Sequence, residues 1–148
     1  MALGKQAKIL TKAQIDTLLL HVGNGRNPVR NRLIVLLSVK AGMRAKEIAH
    51  LTWSMVLNSD GTLSKEINLQ DSASKGKSGR VIPMAKELFA ELGKWQSSCK
   101  GIDHNCRIIS TERSKGTSAQ AIVNMFSDWY SALGFIGASS HSGRRSAI

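Results

Sequence analysis

Between Asn27-Pro28 and Gly42 lies an unbroken run of five apolar residues, Leu33-Ile34-Val35-Leu36-Leu37. Proline at the first position of a helix gives up no hydrogen bond the helix would otherwise make. Asparagine suits the cap before it, and glycine suits the turn beyond the end. The segment therefore reads as one helix, apolar around most of its circumference. Such a helix is stable only when other elements cover it on several sides. The remaining chain must pack around it, which makes this a central, mostly buried helix of a single domain.

The covering elements are legible in the same terms. Thr11-Lys12-Ala13-Gln14 fits a capping box, with Leu10 and Ile15 as its hydrophobic staple. Ile15, Leu18, Leu19 and Val22 then share one face up to Gly23. A short third helix is expected from Arg44 to about Leu51. At Trp53 the helical period gives way to short runs divided by Asn58-Ser59-Asp60-Gly61 and by Asp71 to Gly79. Ser54 to Leu57, Glu66 to Leu69 and Arg80 to Met84 read as a small three-stranded antiparallel sheet. Helix resumes at Ala85, with Leu88, Leu92 and Trp95 on one face, and an extended stretch is expected at Arg107 to Ser110. Thr117-Ser118-Ala119-Gln120 offers a second capping box, opening a helix whose buried stripe is Ile122, Phe126, Trp129 and Leu133 and which Gly134 ends. A last helix is expected to open near Ser139 or Ser140. Trp53, Trp95 and Trp129 are expected in the core. The fold class is mainly α with one small sheet.

Charge bounds the partner. Lys and Arg number 21 against 10 Asp and Glu, a formal net charge of +11. The excess is patched: residues 1–40 hold seven positive side chains and one acid, and Lys75, Lys77, Arg80 and Lys86 stand together without an acid among them. A polyanion, with nucleic acid the default, is the expected partner. No apolar run approaches the roughly eighteen residues of a membrane span, and Met1 to Leu10 lacks the apolar stretch of a signal peptide. A cytoplasmic location is expected, with Cys99 and Cys106 kept as thiols. His104 between them raises a metal site, but three ligands without a fourth argue against zinc, and a small buried Cys106 is expected before Ile108-Ile109.

Three motifs then occur in a telling order: Ala41-Gly42-Met43-Arg44-Ala45-Lys46-Glu47-Ile48, Lys75-Gly76-Lys77-Ser78-Gly79-Arg80-Val81-Ile82-Pro83, and His141-Ser142-Gly143-Arg144. Their order, within helices, a small sheet and helices again, resembles the catalytic domain of the tyrosine recombinases, the phage integrase family. The first is similar to that family's Gly-Leu-Arg-x-x-Glu-Leu box, the second to its basic hairpin and the third to its His-x-x-Arg box. The likeness runs from Leu10 to Ile148, and implies a bacterial or phage-derived protein acting on duplex DNA.

The chemistry accounts for the residue types. Transesterification at a DNA phosphate builds negative charge that two guanidinium forks can hold, and Arg44 and Arg144 are the candidates. The resemblance implies that Lys75 protonates the leaving 5′ oxygen, with Lys77 as the alternative, and that His141 assists proton transfer or bonds the phosphate. Glu47, one turn after Arg44, is expected to support that corner. Lys46, Lys77, Arg80 and Arg145 are the expected DNA contacts. The reaction implied stores the phosphodiester energy in a phosphotyrosyl link and needs neither ATP nor metal.

The chain departs from the family pattern at the nucleophile. Its one tyrosine, Tyr130, precedes His141 and lies on the apolar stripe of a helix, so a packing role is expected. No tyrosine follows Arg144. The expectation is a single catalytic-type domain over residues 1–148, incomplete at its C-terminal side, with no separate N-terminal clamping domain and inactive by itself. Assembly with further copies on DNA is a possibility the resemblance leaves open. A non-catalytic DNA-binding remnant and a piece of an intact recombinase are the alternatives. A nucleotide-binding loop at Gly76-Lys77-Ser78 is set aside, because the glycine it needs at position 71 is Asp.

Overall fold

The computed structural model describes residues 9–69, 79–99, 103–110, 116–139 and 141–142. Helix α1 spans Lys12–Gly23, α2 Pro28–Val39, α3 Ala45–His50, α4 Lys86–Ser98 and α5 Ala119–Leu133, with strands β1 at Glu66–Leu69 and β2 at Arg80–Pro83.

Helix α2 is the centre. Leu33 to Leu37 are at most 1% exposed, and α1 and α4 pack against the helix. Each such side chain contributes about 1.5–3 kcal/mol of hydrophobic stabilisation. Asn27 precedes the helix in the left-handed conformation, φ 52°, and its side chain makes no capping bond, so Pro28 carries the start by its fixed φ. The capping box of α1 forms as expected: Gln14 N–H donates to Thr11 Oγ1 at 3.1 Å, and Thr11 N–H donates to Gln14 Oε1 at 2.9 Å.

Strand pairing differs from expectation. Among the described residues the sheet has two strands, with Glu66 opposite Pro83 and Leu69 opposite Arg80, antiparallel. Ser54 to Leu57 is not the third strand. Trp53 to Met55 form a 3₁₀ turn, because the backbone here has found other partners: Trp53 N–H reaches the Cys106 carbonyl at 3.1 Å, Ser54 N–H the His104 carbonyl at 2.9 Å, and Ile108 N–H the Leu51 carbonyl at 2.9 Å. Leu57 keeps one isolated bridge, to Leu63. The stretch expected to be extended near Arg107 is thus used to pin the turn, and Ile108 and Ile109 enter the core.

Two further details shift. The cap of α5 is Ser118, whose hydroxyl accepts from Ala121 N–H at 3.0 Å, one residue later than the Thr117 box predicted. Its N3 residue is then alanine, which cannot return the bond. The buried stripe of α5 is accordingly Ile122, Phe126 and Tyr130, while Trp129 and Leu133 are only partly covered. Trp53 is buried as expected, and Trp95 is partly buried with its indole N–H donating to the Ile108 carbonyl at 2.7 Å. Cys106, expected inside, is exposed: it closes a turn in which its N–H bonds the Asp103 carbonyl, and the inward positions go to the two isoleucines.

Candidate functional site

The first motif folds around one glycine. Helix α2 ends at Val39, and Gly42 turns the chain in the left-handed region at φ 67°, a conformation that Cβ-bearing residues disfavour. Gly42 N–H bonds the Ser38 carbonyl at 3.1 Å and Met43 N–H the Leu37 carbonyl at 3.2 Å. Met43 goes into the core at 1% exposure, and the next residue, Arg44, faces solvent as the N-cap of α3.

A buried carboxylate then organises this corner. Glu47 is 7% exposed at the third position of α3, and its Oε1 accepts the Arg44 backbone N–H at 2.9 Å. This is half of a capping box, since a guanidinium has no acceptor with which to return the bond. The other half of the carboxylate's bonding comes from the sheet. Arg80, the first residue of β2, places Nη1 2.7 Å from Oε2 and Nη2 3.0 Å from Oε1, a bidentate pair. Burial pushes the Glu47 carboxyl up, but the Arg80 hydrogen bonds, the Arg44 amide and the two positive charges outweigh it and hold the group below its ordinary value. Glu47 is therefore held as an anion that already accepts three hydrogen bonds.

Arg44, Glu47 and Arg80 are thus brought together from α3 and β2. Lys46 is exposed on the same turn as Arg44. His141 is exposed on a helical turn beyond α5 that is fastened by reciprocal bonds: Ser139 N–H donates to Ser142 Oγ at 3.0 Å, and Ser142 N–H to the Ser139 carbonyl at 2.9 Å. Ser142 is fully buried, which anchors the turn that carries His141. Lys75, Lys77, Arg144 and Arg145 lie outside the described residues.

Tyr130 is 2% exposed, with its ring 5.7 Å from Phe126 and 6.0 Å from Phe135. Its hydroxyl has no hydrogen-bond partner among the described residues, and burial pushes the phenol far above its ordinary value. The ring is part of the buried core, the packing place expected for it. The pairing of Arg80 with Glu47 is what the sequence did not announce. The two are 33 residues apart, and no periodicity links a helix position to the first residue of a distant strand.

A helical domain with a small hairpin, an exposed arginine at a helix cap and a buried acid behind it defines a class that the comparisons identify. The sequence matches the phage integrase family over residues 8–148. The fold is similar to the crystal structure of XerA recombinase at 20% identity, covering 94% of this chain and 48% of that one, with a TM-score of 0.73. It is similar to the Tn1549 transposon integrase in complex with a circular intermediate DNA at 16% identity, covering 96% and 52%, with a TM-score of 0.72. A lambda integrase dimer bound to a COC' core site matches at 17% identity, covering 97% and 50%, with a TM-score of 0.69. No curated protein matches the chain. The chain spans about half the length of these solved relatives. It belongs to the phage integrase family, and its fold is that of a tyrosine recombinase catalytic domain.

Proposed function

We propose that the chain grips duplex DNA through a basic face centred on Arg44, and that this grip serves the cutting and rejoining of strands at a defined site. The observation that carries the reading is the Arg44 corner. An exposed arginine side chain is launched from a helix cap whose backbone is fixed by a buried carboxylate, so the point from which it reaches out is set before any phosphate arrives. Arg144 would close the clamp from the other side of the phosphate. Lys75, or Lys77 in its place, would protonate the leaving 5′ oxygen, and His141 would assist proton transfer or bond the phosphate. Lys46, Lys77 and Arg145 would touch the backbone of the duplex and fix its register. Integration and excision are both rearrangements such a domain serves, in the cytoplasm of a bacterium or on a phage-derived element. Further copies bound side by side on one site would suit a reaction that exchanges strands.

A second reading has its own support. Tyr130 is enclosed, neutral and ahead of His141 in the chain, so the 148 residues by themselves hold no tyrosine placed to attack. In that reading the chain binds DNA without cutting it. Incubation with nicked duplex separates the two: no covalent adduct is expected from this chain, and an adduct mapped to Tyr130 would overturn the argument from burial. The shared reading is tested by titrating labelled duplex across a salt series. Affinity should fall by about 0.9 log unit per log unit of salt for each phosphate neutralised. Absent or salt-insensitive binding, or undiminished binding by the folded double variant Arg44→Ala with Arg144→Ala, would refute it.

A further inference from the structure

We propose that Arg80 is a positioning residue that acts on Arg44 through Glu47, and is not itself a ligand of the DNA phosphate. The inference rests on the DNA-binding reading above. One carboxylate joins the two arginines by different parts: Oε1 receives both the Arg44 backbone N–H at 2.9 Å and Arg80 Nη2 at 3.0 Å, while Oε2 receives Arg80 Nη1 at 2.7 Å. The bond to Arg44 is made at its backbone, so it sets where the Arg44 side chain begins and leaves that guanidinium unspent. Arg80 has committed its fork instead. Two of its donors face Glu47, and the charge of the pair sums to zero, which removes most of the attraction a phosphate would feel for it.

The geometry also explains why the acid needs this partner. Glu47 is 7% exposed, and a carboxylate so enclosed is tolerated only when it is paired and hydrogen-bonded. Without Arg80 it would either take up a proton or turn toward water, and either change loosens its hold on the Arg44 amide. Because Arg80 opens β2 opposite Leu69, the same bond fastens the Leu69–Arg80 end of the strand pair to the cap of α3. Among the formal positive charges, Arg80 is thus one that DNA does not count.

The test compares the parent chain, Arg80→Gln, Arg44→Ala and the double variant, binding a labelled duplex of random sequence over a salt series. Arg80→Gln should weaken binding about tenfold, yet add less than about twofold in the Arg44→Ala background, as expected when one residue works through the other. In the Arg44→Ala background Arg80→Gln should leave the slope against log salt unchanged. A slope reduced there by about 0.9 would mark Arg80 as a phosphate contact. That result, multiplicative losses, or parental binding by Arg80→Gln would each overturn the proposal. If the parent chain binds no duplex, the functional reading fails by itself, and the proposal is decided by hydrogen exchange of the Arg44 amide. That amide should exchange about tenfold faster in Arg80→Gln while the amides of α2 stay protected, and an unchanged rate refutes the coupling. Should Arg80→Gln melt below the assay temperature, Arg80→Lys keeps the charge without the fork. It should show the same pattern at smaller amplitude, and parental behaviour in both assays would refute the proposal.

Discussion

Among the described residues two glutamates are buried, each held by one arginine, and they are held differently. Glu91 on α4, 4% exposed, meets Nε of Arg32 on α2 at 3.3 Å, and Arg32 also donates through Nη1 to the Leu19 carbonyl of α1 at 3.3 Å. Glu47 meets Arg80 through two short bonds and takes a third from a backbone amide. The first pair ties α1, α2 and α4 together. The second pair stands directly behind an exposed arginine. One charge pair can therefore fasten a fold while another of the same residue types aims a side chain, and what distinguishes them is the neighbour to which each acid is bonded.

The largest expected effect comes from breaking the helical pair. Arg32→Met leaves Glu91 buried with no other partner among the described residues, and should cost about 3 kcal/mol in urea unfolding, near the range for an orphaned buried charge. A loss below about 1 kcal/mol would mean that Glu91 reaches water or takes up a proton, and would erase the contrast between the pairs. Arg80→Gln should cost less, about 1–2 kcal/mol, because the Arg80 side chain is already 43% exposed and the released carboxylate can turn toward water. Equal costs in the two variants would show that the second pair is as structural as the first.

Acid sharpens the comparison further. The folded-state value of Glu47 lies below its ordinary 4.5, so the folded form prefers the anion. Its contribution is fully present above the unfolded value and is lost as pH falls through the lower folded value. Unfolding free energy measured from pH 6 downward should decline over that window in the parent, and the decline should be shallower in Glu47→Gln. Identical pH profiles would refute the assignment of the anion. The smallest effect is expected at Tyr130→Phe, which removes a buried hydroxyl that has no described partner. It should leave stability unchanged or raise it by up to about 1 kcal/mol, and a loss above about 1 kcal/mol would reveal a bond to that hydroxyl.

Legibility in the sequence followed the range of the interaction. The box at Thr11 and Gln14, the proline start of α2 and the left-handed glycines at 42 and 134 are decided within a few residues, and each is where the spacing put it. The errors are also instructive. Thr117 and Ser118 are both competent caps, and it is Ser118 that caps α5; Tyr130 packs inward as expected, while Trp129 and Leu133, expected on the buried stripe, are only partly covered. Ser54 to Leu57 has the composition of a strand, but the backbone beside it is bonded to residues 104–108, and a strand needs a partner more than it needs a propensity.

At the site, the sequence by itself determined that Arg44 would stand at the opening of a helix just after a glycine turn, with Glu47 one turn on. The i to i+3 spacing that places a carboxylate against a cap amide is built into helix geometry. It determined the burial of Leu33 to Leu37 for the same kind of reason, since no arrangement exposes them all at tolerable cost. Only the tertiary structure decided that Arg80 would answer Glu47 and that Arg32 would answer Glu91. A buried acid requires a cation, but any of the chain's 21 Lys and Arg could meet that need in composition. Which one does so is fixed by where the core sets α3 relative to β2 and by how α2 packs against α4, and that arrangement arises from the whole core at once.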